Sequence, residues 1–157
     1  TPPGGVMARL TLLRSPQSPD PHPDRGRHHL VYSLLVDADI ASAHVEAARL
    51  NQPLQLRGGT VELPSTARIE PVHGTTVIDA VKQAFDGSGD LVIRIHEAEG
   101  ARSRVRLLLD RDGCVSEVDL LEDPIDEPTQ QLPASTCSRV ELTLRPFQIL
   151  TLRVSQR

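Results

Sequence analysis

Between Arg14 and Tyr32 the chain reads RSPQSPDPHPDRGRHHLVY, and this stretch holds the densest set of groups able to do chemistry. Asp24, Arg25 and His28 stand within five residues, with Arg27 and His29 beside them. A carboxylate accepts hydrogen bonds, a guanidinium donates them as a fork, and an imidazole does either. Pro16, Pro19, Pro21 and Pro23 lock φ and remove amide donors, so neither helix nor ladder forms through this stretch. A stiff, charged loop hung between two extended runs is where binding chemistry sits on a β scaffold. The plainer alternative is a solvated crossover loop in which Asp24 pairs with Arg27 or His28 to fix its shape.

No other constellation carries catalysis by its spacing. His28 and His29 are adjacent and would point to opposite faces of a strand, a poor metal pair. His22, His44, His73 and His96 are isolated in sequence, with no Cys or carboxylate at a zinc-ligand interval. Asp20, Asp24, Asp37 and Asp39 are available carboxylates, but a paired acid and base need a geometry that spacing does not supply. There is no Gly-rich phosphate loop, nucleophile elbow or HExxH. Cys114 and Cys137 are too few for a disulfide framework; two unbridged thiols are the expectation, with a single bridge the alternative.

The composition is that of a globular domain long enough to bury a core. The net charge of −4, with basic residues scattered along the chain, argues against a nucleic-acid partner. No apolar run is long enough to span a bilayer, so no membrane partner is expected. The chain opens TPPGG with its single Met at position 7, and reads as a piece of something longer.

The elements that must position the loop are strands. Met7 to Leu13 alternates as a half-buried strand, and Leu30 to Val36 is apolar on both faces. Asp39 caps a short helix with Ile40, Ala43, Ala47 and Leu50 on one stripe, ended by Pro53 and followed by a turn at Gly58-Gly59. Val61 to Leu63 and Ala67 to Pro71 are short extended candidates. Val77 to Phe85 fits helical spacing too, but the Asp86-Gly87-Ser88-Gly89 turn and the strand at Leu91, Ile93 and Ile95 favour a hairpin. Val105 to Leu109 alternates, Asp112-Gly113 reads as a turn, and Val115, Val118 and Leu120 continue the pattern. A polar loop runs from Glu122 to Ser135. Val140 to Leu144 and Leu150 to Val154 close the chain around a bend at Pro146, with Phe147 expected in the core. The fold class is therefore all-β, an antiparallel β-sandwich with at most one short helix near Asp39 to Leu50.

At this point the motifs resemble glycoside hydrolase family 38 α-mannosidases, in the region near their C-terminal end. The pieces are Leu12 to Pro16 (LLRSP), Pro19-Asp20-Pro21, Asp24-Gly26-His28 and Tyr32, followed in the same order by five more blocks. These are EAARLNQPL (Glu46 to Leu54), VIDAVKQA (Val77 to Ala84), LVIRIHEAEG (Leu91 to Gly100), VDLLED (Val118 to Asp123) and LRPFQILTLRV (Leu144 to Val154). Two departures stand out: Leu30 where the family has Phe, and KQAF at Lys82 to Phe85 in place of a KPAE-like segment.

The resemblance implies that residues 1–157 are the C-terminal β-sandwich region of a larger retaining α-mannosidase. In such an enzyme one Asp attacks the anomeric carbon and an acid protonates the leaving oxygen. The zinc, the nucleophile and the acid would belong to a catalytic barrel that this chain lacks, so no catalytic and no metal residue is assigned in it. The expected partners are that N-terminal catalytic part and its mannoside, with no nucleic acid or membrane; a homo-oligomer stays open, and the expected location is the cytoplasm. Asp24, Arg25 and His28 become candidates for contacts with sugar hydroxyls at the mouth of the active site. The alternative is a carbohydrate-binding or structural sandwich from another enzyme, but with no Trp and only Tyr32, Phe85 and Phe147 a sugar-stacking platform is poorly supplied. A zinc site in the His-rich loop fits no structural spacing.

Overall fold

The computed structural model describes residues 4, 7–16, 18–52, 58 and 66–155. The chain divides into two compact units, Thr1–Leu34 and Leu35–Arg157. In the first unit, residues 7–13 form no ladder, and neither do residues 30–36, which run from it into the second; both strand expectations are corrected here. A strand is held by inter-strand hydrogen bonds, and among the described residues no segment pairs with either run. Their apolar side chains, Leu10, Leu12, Val31, Tyr32 and Leu34 among them, lie exposed.

The second unit begins with a helix, α1, Ile40–Asn51. Asp39 accepts from the Ser42 amide at 2.8 Å, and the Ser42 hydroxyl accepts from the Asp39 amide at 3.0 Å. That reciprocal box satisfies two amides that would otherwise lack partners, and it holds the Asp39 carboxyl below its ordinary pKa. Pro53, Gly59 and the Val61 to Leu63 candidate lie outside the described residues.

Six strands follow: β1 Ala67–His73, β2 Thr76–Gln83, β3 Leu91–Glu97, β4 Ser103–Val118, β5 Cys137–Leu144 and β6 Ile149–Ser155. All pair antiparallel, so the all-β sandwich-like expectation stands. The first half of β4 lies between β1 and β5, and its second half joins the sheet of β6, β3 and β2. The 16-residue β4 corrects the expected turn at Asp112-Gly113. A register shift between Leu108 and Gly113 bends the strand instead, and it passes from one sheet to the other there. A Cβ on Gly113 would sit 2.4 Å from Val154 Cγ1, so this crossing admits only glycine without movement.

Period-two alternation decides the core. Val105, Leu107, Leu142 and Leu144 face inward from one sheet, and Ile93, Ile95, Leu150 and Leu152 from the other. Phe147 is the exception to expectation. It sits at φ +55° in the turn before β6, 70% exposed, and not in the core. The Pro146 bend is a tight turn closed by the Gln148 amide donating to the Arg145 carbonyl, which swings residue 147 outward.

Candidate functional site

The Pro-rich loop is built around Asp24. Its carboxylate accepts from the Ser15 amide at 3.0 Å, and its own carbonyl lies 2.8 Å from His28 Nε2. Asp24 thus ties the two ends of a nine-residue span, and His28 closes the next turn onto it. Asp20 accepts from the His22 amide at 2.8 Å, the local turn that an aspartate before a proline pair favours. Asp24 itself lies at φ +53°, and Gly26 follows at φ +134°. Of the two pairings that the plainer alternative offered, with Arg27 or His28, the one with His28 is present, through the Asp24 backbone carbonyl and not its carboxylate.

Arg25 is exposed and has no hydrogen-bond or ion-pair partner among the described residues. The structure brings Asp24 and His28 together and leaves the Arg25 fork available. That arrangement can donate to and accept from hydroxyls, but one carboxylate without a second cannot run a two-carboxylate hydrolysis.

The strands assemble a second cluster that the sequence left scattered. His96 on β3 places Nδ1 2.9 Å from both carboxylate oxygens of Asp79 on β2, and the His44 ring from α1 meets its edge at a centroid distance of 5.5 Å. With Arg94, Leu120, Phe147 and Ile149, His96 and Asp79 line a depression of about 480 Å³. An Asp–His pair is the orienting half of a hydrolytic triad, but no hydroxyl or thiol bonds to His96 among the described residues. A one-residue shift in the β2–β3 register brings Asp79 near His96, a detail that periodicity does not reveal.

Next to this pair, Glu97 is fully buried. One of its oxygens accepts from the Glu99 amide at 2.8 Å; the other accepts from Gly100 at 2.8 Å and Phe147 at 2.9 Å. Burial alone would raise its pKa, but the amides of Phe147, Glu99, Ala101 and Gly100 outweigh burial and hold it below the ordinary value. Glu97 is a structural staple joining two turns. Cys114 and Cys137 are unbridged, as expected. Among the described residues, no group of three or more His, Cys, Asp or Glu side chains is placed to hold a metal ion.

Residues 75–152, from the start of β2 into β6, match the family model described as "Glycosyl hydrolases family 38 C-terminal beta sandwich domain". The chain belongs to glycosyl hydrolase family 38. It is 34% identical over 161 aligned residues to "Alpha-mannosidase 2C1" of Homo sapiens, an alignment covering 94% of this chain and 15% of that protein. "Alpha-mannosidase G" of Dictyostelium discoideum is 34% identical over 104 residues, covering 61% of this chain and 10% of that protein. "Alpha-mannosidase" of Saccharomyces cerevisiae is 25% identical over 178 residues, covering 96% of this chain and 16% of the relative. The chain thus spans about 15% of the length of the family 38 relatives it matches.

Proposed function

We propose that this chain works as the C-terminal part of an α-mannosidase that removes terminal α-mannosyl residues with retention. The observation that carries the reading is similarity at 34% identity over 94% of the chain, a span wide enough to take in the Pro-rich loop as well as the sandwich. The nucleophile, the acid and a zinc belong to the remaining polypeptide, and the expected location is the cytoplasm. In this reading the sandwich packs on the catalytic part, and the loop of residues 14–32 borders the active-site mouth. Asp24 sets the loop's shape through Ser15 and His28, while Arg25 supplies the unengaged donor fork for sugar hydroxyls beyond the cleaved residue. Because prolines already restrict the loop, little ordering entropy opposes binding.

The test is kinetic, on the full-length enzyme. Arg25→Gln should lower kcat/KM on an extended α-mannoside about tenfold, the effect of losing one charged hydrogen bond, with Tm unchanged. An unaltered kcat/KM would remove Arg25 from the site, and absence of any α-mannosidase activity in the native enzyme would refute the whole reading.

A further inference from the structure

Six of the arginines that look scattered along the sequence gather on one surface. On the outward side of the sheet formed by β1, the first half of β4, and β5, the register sets His73, Arg104 and Thr143 in one row. Glu70, Arg106 and Glu141 form the next row, and Arg68, Leu108 and Arg139 the third. Rows two residues apart along a strand lie about 6.8 Å from each other, and neighbouring strands about 4.8 Å apart. Arg102 and Arg145 extend the surface at one end, where they line a depression of about 500 Å³. A second depression of about 330 Å³ shares Arg102 and Thr143 with it, and a third of about 210 Å³ is lined by Arg68 and Leu108.

Among the described residues, only one of these six guanidiniums is neutralised. Arg106 holds Glu70 at 3.7 Å and Glu141 at 3.3 Å. The guanidiniums of Arg68, Arg102, Arg104, Arg139 and Arg145 have no hydrogen-bond or ion-pair partner among the described residues. The third carboxylate on the face, Asp110, is engaged by the Thr66 amide at 2.9 Å. The chain as a whole carries −4, so a face with six cations and three anions is not a consequence of composition.

We propose that this face is the seat for an acidic surface of the remaining α-mannosidase polypeptide. The proposal rests on the reading of this chain as the C-terminal part of such an enzyme. Three features select a protein surface over a uniform polyanion. The carboxylates of Glu70, Glu141 and Asp110 are interspersed and would repel a phosphate chain. Apolar Leu108 and Val72 sit among the guanidiniums, the mixture of arginine and apolar groups found at protein interfaces. The relatives are several times longer than this chain, so most of such an enzyme lies outside it.

The experiment measures arginine modification by p-hydroxyphenylglyoxal, residue by residue, in the native full-length enzyme and in the same enzyme unfolded in urea. Arg104, Arg139 and Arg145 should react at least tenfold more slowly in the native enzyme, yet near the unfolded rate in the 157-residue chain. Full reactivity in the native enzyme would overturn the proposal and leave the face for a separate protein. Protection already present in the 157-residue chain, with a dimer mass by light scattering, would overturn it in favour of a second copy. The double variant R104E/R139E should restore Arg102 and Arg145 reactivity at least fivefold; unchanged protection would show that charge does not hold the contact. R139Q serves if the double variant does not fold. Activity toward an α-mannoside is assayed on the same samples. An active enzyme with reactive arginines refutes only the docking face, whereas an inactive one refutes the functional reading and leaves the protection map to judge the face.

Discussion

Glu97 offers the sharpest perturbation of the sandwich. Its carboxylate is fully buried and accepts from the amides of Glu99, Gly100 and Phe147. In Glu97→Gln the amide oxygen can keep Gly100 and Phe147, but the new NH₂ group then faces the Glu99 N–H. One unsatisfied buried donor costs about 1–3 kcal/mol. Glu97→Ala strands all three amides, a loss of about 3–5 kcal/mol if water reaches part of the space. At roughly 2–4 °C per kcal/mol for a chain of this size, Gln should lower Tm by about 2–12 °C and Ala by more. Thermal unfolding followed by circular dichroism decides it. A loss under about 2 °C for the Ala variant would mean that the two turns do not depend on the carboxylate.

The pH dependence gives an independent check. Glu97's folded pKa lies below its ordinary 4.5, so its stabilisation is fully present above 4.5 and is lost as pH falls through the folded value. The Gln variant has nothing to protonate there. The stability gap between the native chain and Glu97→Gln should therefore narrow on acidification below pH 4.5, and a constant gap would refute the assignment.

Two further perturbations test the strand crossing and the β2–β3 turn. Gly113→Ala forces a Cβ to within 2.4 Å of Val154 Cγ1 and should cost about 1–3 kcal/mol as overpacking, read as a lower urea midpoint with unchanged m. Arg153→Gln removes the bonds to Asp90 at 2.7 Å and Asp86 at 2.6 Å, and should speed amide exchange across residues 84–90. Asp86, held at about 2 by the Ser88 amide and hydroxyl and then by Arg153, should rise only part of the way toward 3.8 in an NMR titration of that variant.

Strands with one buried face were legible because alternation is local: β5 and β6 stand where Val140 to Leu144 and Leu150 to Val154 alternate. The β2–β3 hairpin was readable from its Gly-rich turn, despite a segment that also fitted a helix. Met7 to Leu13 has the same alternation and no ladder, since periodicity reports amphipathicity and not the existence of a partner strand. Asp112-Gly113 read as a turn because glycine marks both turns and close approaches, and only Val154, far along the chain, tells them apart. For Glu97 a signal was present. It shares the inward parity of Leu91, Ile93 and Ile95, and a carboxylate there needs several donors, which Gly100 and the Phe147 turn provide. The arginine face had no such signal, because it exists only once three strands far apart in sequence are in register.

The loops of the sandwich share one device. Besides Glu97, Glu117 accepts from the amides of Thr129 at 2.7 Å and Gln130 at 3.0 Å, and Asp119 accepts from Leu121 and Asp123 at 2.8 and 2.9 Å. Glu122 accepts from the Phe85 amide at 2.7 Å and pairs with Lys82. Gln130, positioned by Glu117, then bonds both the N–H and the C=O of Thr143 on β5. That amide does for the open side of β5 what a further strand would do, and it covers the edge without extending the sheet. Each carboxylate thus satisfies amides that an irregular segment could not pair by itself, in a chain where the acidic residues outnumber the basic ones, 21 to 17. Many of the acids are consumed internally, by loop amides, while the guanidiniums of five arginines on the outer face have no partner among the described residues. The asymmetry has a physical consequence: the domain's own stability draws on its carboxylates, and on the outer face the guanidiniums of Arg68, Arg102, Arg104, Arg139 and Arg145 stay available for contacts outside it.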